Sequence, residues 1–382
     1  MNILIIGSGS YVLSDPFGPG VVLRSVLQWT KDSRVAEQQA VTITLTYQSE
    51  KKLPEKQSEV EAIINYFNGI NDKVKVKFEA ASAVKNILAA GDVAACFIAV
   101  PDVHHAEYCK LAIEHGCPVW LVKPLTGNYG AAKDLSRICG ELSGNVWVDY
   151  HKRFDPSNAY LKLKGQAGDY GRMLVYSVDY HQPYTLPTQV FDWTSDVDVF
   201  TYIGCHYVDQ VFYLYPGARP VSASAYPVKG KVYEKTGQFD GVIATLRFDV
   251  EGNELLVPMN IGWFNPAGSP TKSLQVLKVQ FEKGLVNLDQ TRRGIEIWHE
   301  EGVSEINPYF FGEALDAMGN SYYTGYGYKS VQAFLDLVQS GQKWPSSGIL
   351  PTLEEALKTE KVLFGVQEAL KTGKEFDYRT LD

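Results

Sequence analysis

The chain has 382 residues, more than the roughly 250 to 300 at which a single hydrophobic core stops growing, so we expect two domains. Its composition, 45% hydrophobic and 21% charged, is typical of a globular protein and excludes a disordered or collagen-like chain. A formal net charge of −8, without any block of Lys and Arg, excludes a surface that follows nucleic-acid phosphates.

The first third of the chain alternates predicted strands and helices. It opens with the continuous apolar run Asn2–Ile6, which is typical of a buried strand in a parallel sheet. Further strands are predicted at residues 41–46, 74–78, 94–100 and 119–122. Helices are predicted at residues 21–29, at 55–67, after Ser82 as N-cap, and at 105–115. This alternation predicts an α/β fold with an N-terminal Rossmann domain, a doubly wound parallel sheet, over residues 1–126.

The pattern changes in the remaining residues, 127–382, which we predict to form a C-terminal α+β domain. From about residue 146 onward many short runs alternate apolar and polar residues, as half-buried strands do. In residues 242–248, for example, four apolar side chains share one face: Val242, Ala244, Leu246 and Phe248. A helix is predicted at residues 353–370. The second domain is therefore expected to be rich in antiparallel sheet.

Targeting and metal signals are missing from the sequence. No apolar run reaches the roughly 18 residues of a membrane span, and no basic residue precedes Arg24 as in a signal peptide. Five cysteines, an odd number without a CxxC pair, favour buried reduced thiols in a cytoplasmic protein over disulfides or zinc. His104 and His105 are adjacent without an HxxxH pattern, so no metal site is predicted.

The sequence Gly-Ser-Gly at residues 7–9 directly follows the first predicted strand. Glycines there allow a tight turn and a close approach of the backbone to a pyrophosphate. A third glycine is missing from its usual place, where Val12 stands, and an apparent insertion runs to Gly20, so the helix could begin only at residues 18–20. The turn either binds a dinucleotide or merely joins strand and helix, and its βαβ setting favours the dinucleotide.

The end of the second predicted strand has no acidic residue to hold the ribose 2′-hydroxyl of NAD. The residues there are Tyr47, Gln48 and Ser49, followed by Lys51 and Lys52. Neutral and basic groups tolerate a 2′-phosphate better than a carboxylate does, which favours NADP. The alternative is that both lysines are solvated loop charges.

Residues 100–124 carry a set of fixed spacings, namely Val100-Pro101-Asp102, His105, Ala112, Gly116 and Lys123-Pro124. Without a gap, they resemble the segment TP(N)xxHxxxxxxAxxxG followed by EKP of the Gfo/Idh/MocA family, which includes glucose-fructose oxidoreductase and inositol dehydrogenase. Val122 replaces the usual Glu of EKP, and Asp102 replaces the usual Asn. Both replaced positions are on the nucleotide side of the expected site, and Lys123 is retained.

The predicted second domain carries further matches to that family. Residues 202–209 resemble its DxGxHxxD helix, with Gly204, His206 and Asp209 in place and Tyr202 instead of the first Asp. Residues 149–156 and 325–327 also agree, so the resemblance covers nearly the whole chain. A looser resemblance, at residues 186–191 and 307–310, points to a branch in polysaccharide or surface-sugar pathways.

The resemblance implies an NAD(P)-dependent dehydrogenase or reductase acting on CH-OH groups. It would move a hydride between nicotinamide and a secondary alcohol or ketone of a sugar, inositol or nucleotide-linked sugar. Lys123 is implied to orient the substrate and stabilise the alkoxide, and His206 to exchange the hydroxyl proton. Without the resemblance, a histidine on an apolar helix face would be a core residue. Tyr202, one helical turn before His206, either assists the proton relay or lines the pocket.

For the other candidate substrate contacts, a structural or solvent-exposed role remains an alternative. Arg153 could reach a hydroxyl, carboxylate or phosphate of the substrate, whereas Lys152 is interpreted as a solvated charge. Asp209 could hold substrate hydroxyls, orient the imidazole or make a structural hydrogen bond. An aromatic-rich stretch could stack on a pyranose or pack on the sheet. It contains Tyr180, His181, Tyr184 and Trp193.

The predicted site residues form three sets, for cofactor, substrate and catalysis, and no metal ligand is predicted. The predicted cofactor contacts are Gly7, Gly9, Ser10, Tyr11, Val100, Pro101, Asp102, His105, Lys123 and Pro124. The predicted substrate contacts are Lys123, Arg153, Trp193, His206 and Asp209. The predicted catalytic residues are Lys123, His206 and Tyr202.

The resemblance also implies how the protein associates. A large, open, mainly antiparallel sheet in the substrate-binding and oligomerisation domain would leave an apolar face that needs a partner, giving a homodimer or homotetramer. The expected small-molecule partner is sugar-like, and neither nucleic acid nor membrane is expected to bind.

Two rival functions use the same residues. In one, transient oxidation by the cofactor enables elimination, hydration or glycoside cleavage at a neighbouring carbon, and the hydride then returns. In the other, the chain binds a nucleotide but has lost activity, as the missing third glycine, Val122 and Tyr202 would allow.

Overall fold

The computed structural model describes residues 1–15, 18–67, 74–191, 193–342, 344–345 and 348–381. The chain forms two compact units. The first consists of Met1–Thr126, Gly130–His151 and Phe310–Glu354, and the second of Gly127–Tyr129, Lys152–Tyr309 and Glu355–Asp382. The chain leaves the first unit after Thr126 and enters it again at residues 130 and 310.

The first unit is built on a six-stranded sheet. Its elements up to residue 149 are β1 (Asn2–Ile6), β2 (Ser14–Asp15), β3 (Gly18–Pro19), α1 (Val22–Asp32), α2 (Val35–Gln38), β4 (Val41–Tyr47), α3 (Leu53–Tyr66), β5 (Val74–Ala80), α4 (Val84–Ala89), β6 (Val93–Ile98), α5 (His105–Glu114), β7 (Val119–Val122), α6 (Tyr129–Glu141) and β8 (Val146–Asp149). The strand order is β5-β4-β1-β6-β7-β8, and all five neighbouring pairs are parallel. The order reverses at β1, so the predicted doubly wound Rossmann sheet is confirmed.

Two local predictions in this unit are wrong. Ser82 does not cap a helix, because it lies within the 3-10 turn Ala81–Ala83 and α4 begins after Ala83 without a side-chain cap. Residues 146–149 do not open the antiparallel region but form the sixth parallel strand, paired with β7. All four are buried, as a strand covered on both faces requires.

The second unit contains most of the strands after residue 151. Its elements up to residue 306 are α7 (Pro156–Gln166), β9 (Met173–Pro183), α8 (Cys205–Leu214), β10 (Arg219–Val228), α9 (Lys231–Thr236), β11 (Gly241–Val250), β12 (Asn253–Asn265), β13 (Leu274–Phe281), β14 (Leu285–Asp289), β15 (Ile295–His299) and β16 (Gly302–Ile306). The predicted strand at residues 242–248 thus lies within β11.

The chain then contributes β17 (Gly312–Leu315), β18 (Ser321–Thr324) and α10 (Tyr326–Ser340) to the first unit. Helix α10 packs against α1, where the indole N–H of Trp29 donates to Asp336 over 2.7 Å. The ring of Phe334 contacts Phe97 of β6 and Trp147 of β8. This late helix therefore completes one side of the core around the parallel sheet.

The last helix and strand are α11 (Leu353–Thr372) and β19 (Phe376–Asp377). The larger sheet has the order β14-β13-β9-β12-β11-β10-β19 and is antiparallel except between β9 and β12. This mixed, mainly antiparallel sheet confirms the predicted α+β class of the second part. None of the described helices is both long and apolar enough to cross a membrane.

The two faces of this sheet differ. Val242, Ala244, Leu246 and Phe248 of β11 are all at most 1% exposed, as their alternation predicted. Helix α8 covers that face, with the ring of Phe212 5.8 Å from that of Phe248. On the opposite face Ile243 is 49% exposed and Tyr226, its partner on β10, is 67% exposed.

Candidate functional site

The Gly-Ser-Gly turn follows β1 and approaches the end of β6. Gly7 has φ +116°, a conformation that side chains disfavour, and a Cβ on it would lie 2.2 Å from the carbonyl oxygen of Ala99. A Cβ on Gly9 would meet no atom within 4 Å. Gly7 is therefore required by the approach of two backbones, whereas Gly9 borders space that a ligand can fill.

The apparent insertion after this turn lies between a single helical turn and the start of α1, and the two remain hydrogen-bonded to each other. The N–H groups of Val12 and Leu13 donate to the carbonyl of Gly9, which closes one helical turn. The N–H of Val21 donates to Tyr11 over 2.8 Å and that of Leu23 to Val12 over 3.2 Å, so the turn stacks on the start of α1. Residues 14–15 and 18–19 form the short hairpin β2–β3, and residues 16 and 17 lie outside the described residues. The expectation that the helix begins at residues 18–20 is corrected to Val22.

The third glycine of the turn is missing from its usual place, but Gly20 makes a close backbone contact there. A Cβ on Gly20 would lie 2.5 Å from the carbonyl carbon and oxygen of Leu13. Its N–H donates to the same carbonyl over 2.7 Å. The chain can therefore rejoin the helix beside the turn only because residue 20 lacks a side chain.

Replacing Gly20 by Ala is expected to lower the free energy of unfolding by about 1–3 kcal/mol, because the methyl group forces two backbone segments apart. Urea-unfolding titrations measure the difference. Gly268→Ala is the matched control, since its Cβ would meet nothing within 4 Å and no positive φ is involved. Equal stability of the two variants would contradict the close-contact role of Gly20.

Tyr11 connects the turn to the end of β8. Its hydroxyl donates to Asp149 over 2.8 Å and lies 3.2 Å from Nδ1 of His151. The other oxygen of Asp149 accepts a hydrogen bond of 2.5 Å from Ser330. The turn that we predicted to hold a cofactor is thus tied to two other parts of the same unit.

Lys56 on α3 also reaches this turn, and it was not among the predicted site residues. Its Nζ donates to the carbonyl oxygen of Ser8 over 2.5 Å and to the Ser8 hydroxyl over 2.6 Å. Burial lowers the pKa of Lys56, Lys52 lowers it further, and Glu59 and Glu55 oppose the shift. In the sequence, the only indication of this contact is that Lys56 lies in the first turn of the helix that follows β4.

The lysines singled out at the end of β4 are exposed. Lys51 and Lys52 lie in the 3-10 turn Glu50–Lys52, which contains no buried residue. Tyr47 is half-buried, and Gln48 and Ser49 are exposed.

His105 lies fully buried between two loops of the first unit. Its Nε2 is 2.8 Å from the carbonyl oxygen of Val100, after β6, and its Nδ1 is 2.9 Å from that of Pro124, after β7. Burial lowers the pKa of His105, whereas Asp102 and the backbone carbonyls of Val100, Pro124 and Leu125 oppose the shift. Both ring nitrogens of His105 thus face backbone carbonyls, and the ring joins the loop after β6 to the loop that follows Lys123.

Lys123 and Asp102 lie at the carboxyl ends of neighbouring strands, as predicted. Lys123 is half-buried directly after β7, and its peptide bond to Pro124 is cis. Asp102 is 7% exposed in the 3-10 turn Asp102–His104 after β6. Open α/β sheets bind ligands at this edge.

In the second unit, His206 lies in the first turn of a helix that is buried on every side. It is the second residue of α8, all ten residues of which are buried, and it is itself 6% exposed. Tyr202 lies in the preceding segment Phe200–Gly204, which is a π-helical turn. Tyr202 and His206 thus stand on either side of the junction between this turn and α8, and their predicted same-face relation stays a prediction.

Trp193 and Tyr202 lie together, whereas Tyr180 and His181 make separate contacts. The Trp193 ring stacks on Phe191 at 4.7 Å and meets the Tyr202 ring at 5.2 Å. Tyr180 is buried and donates to Ser273, and His181 contacts Phe264. Neighbouring residues of a strand face opposite sides, so residues 180 and 181 cannot form one stacking surface.

Arg153 and Asp209 pair with one another. The guanidinium donates through Nε over 2.8 Å and through Nη2 over 2.6 Å to the two carboxylate oxygens. Arg153 is 1% exposed and Asp209 is fully buried. Burial raises the pKa of Asp209, and the adjacent Arg153 opposes that shift. This bidentate contact favours the structural alternative for Asp209 over a direct contact with substrate.

The interpretation of Lys152 as a solvated charge is wrong. It is 2% exposed, its Nζ donates to Gln275 and Gln290, and it lies 5.1 Å from the centre of the Tyr207 ring. Two amide oxygens and an aromatic face thus surround an ammonium inside the second unit.

Comparisons with known proteins give a consistent result. The model of an oxidoreductase family with an NAD-binding Rossmann fold, GFO_IDH_MocA, matches residues 1–150. Myo-inositol dehydrogenase Hyg17 of Streptomyces leeuwenhoekii is 25% identical over 280 residues, which cover 73% of this chain and 79% of that protein. Inositol 2-dehydrogenase of Mycolicibacterium smegmatis is 30% identical over 138 residues, 34% of this chain and 39% of that protein.

A solved structure of scyllo-inositol dehydrogenase from Lactobacillus casei, with bound cofactor NAD(H) and scyllo-inositol, has the same fold. Its TM-score is 0.69 at 16% identity, over 99% of each chain. At that identity the likeness establishes the fold alone. Over residues 1–150, the chain is therefore similar to the Gfo/Idh/MocA family of oxidoreductases with an NAD-binding Rossmann fold.

Proposed function

We propose that this protein is an NAD(P)-dependent oxidoreductase that transfers a hydride between nicotinamide and a secondary alcohol or ketone of a sugar, inositol or nucleotide-linked sugar. The observation that carries the proposal is the turn after β1, which leaves open space at Gly9 beside the first turn of α1. A pyrophosphate needs that approach to a helix N-terminus. Relatives named as inositol dehydrogenases support the class of substrate.

The residues of the first unit fit a nicotinamide dinucleotide. We propose contacts from the loops after β1, β6 and β7, with His105 acting only through the loops that it joins. When bound, the nicotinamide supplies the carbon that accepts or donates the hydride. The proposed contact residues are Gly7, Gly9, Ser10, Tyr11, Val100, Pro101, Asp102, Lys123 and Pro124.

Oxidation of a secondary alcohol also requires removal of its hydroxyl proton. We assign that proton to His206 and the stabilisation of the developing alkoxide to the ammonium of Lys123. The phenol of Tyr202 is proposed to take part in the relay, and Trp193 beside it to contact the apolar face of the substrate ring. Arg153 and Asp209 are proposed to act indirectly, by fixing α8 to the residues that follow β8.

NADP is the proposed cofactor. No carboxylate follows β4 directly, since Tyr47, Gln48 and Ser49 stand there and Glu50 is exposed three residues beyond the strand. A carboxylate at the strand end would hold the 2′-hydroxyl of NAD and repel a 2′-phosphate.

A homodimer or homotetramer is proposed to form through the open face of the larger sheet. That face exposes Tyr226 and Ile243 side by side, and Phe264 at 37% exposure. Apolar side chains grouped on a sheet face are typical of an interface between subunits.

Fluorescence titration of the purified protein with NADH and NADPH tests the proposal. We expect at least one to bind, and we expect the oxidised form to be reduced when myo-inositol, scyllo-inositol or a nucleotide sugar is added. Cofactor binding without reduction by any polyol or keto-sugar would favour the inactive alternative. Turnover without net change in cofactor absorbance would favour transient oxidation. Failure of both nucleotides to bind would refute the dinucleotide site.

A further inference from the structure

The ammonium of Lys56 is held directly against the glycine-rich turn. Both of its recorded hydrogen bonds go to Ser8, the residue between Gly7 and Gly9, at 2.5 Å and 2.6 Å. Ser8 is 8% exposed, and the Lys56 side chain is half-buried. The cation is thus fixed at the turn that we propose for the dinucleotide, although it comes from a different helix.

The charge of Lys56 is poorly compensated there. Its two acceptors are neutral oxygens, and among the described residues no carboxylate forms an ion pair with its Nζ. Glu55 and Glu59 act on it only at longer range, and Lys52 adds a second positive charge nearby. An ammonium has three N–H donors, and the structure records acceptors for two. Partial burial without a counter-ion favours an anion as the missing partner.

The position of Lys56 indicates which anion this is. Five residues separate the end of β4 from the start of α3, so Lys56 lies close in sequence to the strand end that receives the adenosine ribose in Rossmann domains. Lys51 and Lys52 remain exposed and have no contact with the turn among the described hydrogen bonds. Lys56, rather than Lys51 or Lys52, therefore contacts the turn at which the dinucleotide is proposed to bind.

We propose that Lys56, oriented by Ser8, binds the 2′-phosphate of NADP and makes the protein selective for NADP over NAD. The inference rests on the proposed dinucleotide function and assigns cofactor selectivity to one side chain. Lys52 strengthens the local positive field without touching the phosphate.

Binding of NADPH and NADH to Lys56→Met, followed by nicotinamide fluorescence, tests this assignment. We expect the Kd of NADPH to rise at least about tenfold, the loss typical of a charge-assisted hydrogen bond, and that of NADH to change little. Lys51→Met is the matched control, and both nucleotides should bind it as they bind the unmodified protein. Circular dichroism establishes that each variant is folded, and Lys56→Arg should retain part of the preference for NADPH.

Three outcomes would overturn the assignment. Equal weakening of NADPH and NADH would place Lys56 at the pyrophosphate, and unchanged binding of both would remove it from the site. Tighter binding of NADH than NADPH to the unmodified protein would exclude selectivity for NADP, yet leave the dinucleotide site intact. If the unmodified protein binds neither, the proposed function fails together with this inference.

Discussion

Lys123→Met is expected to lower kcat at least about a hundredfold while the protein remains folded. The substitution keeps most of the side-chain volume but removes the charge that we propose to stabilise the alkoxide. Lys123 is half-buried directly after β7, where the sheet ends, so its ammonium acts with less screening than a surface charge does. Steady-state turnover of the best polyol substrate at saturating cofactor measures the loss.

The matched control for this experiment is Lys110→Met. Lys110 belongs to α5, and its side chain is 53% exposed beside Glu114. Turnover of this variant should equal that of the unmodified protein. If Lys123→Met turns over at nearly the normal rate, the lysine has no part in the mechanism and the acid–base assignment to His206 would have to supply the whole effect.

Asp209→Ala is expected to lower the free energy of unfolding by about 3–5 kcal/mol, because it leaves a buried guanidinium without its bidentate partner. The remaining carboxylate of Glu355 lies 3.5 Å from Nη1 of Arg153 and replaces only part of that contact. Urea titrations followed by tryptophan fluorescence measure the change. Asp209→Asn, which keeps the shape and one acceptor oxygen, should lose less.

An exposed ion pair provides the comparison for that variant. Arg137 and Glu141 lie four residues apart on α6 with side chains 60% exposed, so Glu141→Ala should cost about 0.5 kcal/mol or less. A loss for Asp209→Ala as small as this would refute the structural pairing. It would return Asp209 to the alternative of a direct contact with substrate.

The parallel sheet could be predicted from the sequence because its strands are short apolar runs that are buried on both faces. The strand at residues 119–122 agrees with β7 residue for residue. The alternation in β11 likewise predicted its buried face, since one side of that sheet is covered and the other is open. The family resemblance, confirmed by the match to residues 1–150, supplied the candidate roles of Lys123 and His206, which remain predictions.

Contacts between distant residues could not be predicted in this way. Gly20 makes its close contact with Leu13 across an excursion of six residues, so a fixed spacing of glycines does not find it. Lys152 carries the charge of a surface residue, but its amide and aromatic partners lie 55 to 138 residues later in the sequence. Lys56 approaches Ser8 across 48 residues. Composition and periodicity report local burial and contain no information about such pairs.

The late return of the chain to the first unit has a consequence for biosynthesis. Phe97 and Trp147 belong to strands made early, whereas their partner Phe334 belongs to α10, which ends only at residue 340. N-terminal domains commonly fold while the ribosome is still translating the rest of the chain. Here the parallel sheet cannot bury these rings until nearly nine-tenths of the polypeptide has been synthesised. Until α10 has been synthesised, the nascent chain therefore lacks the side chain that covers these two rings.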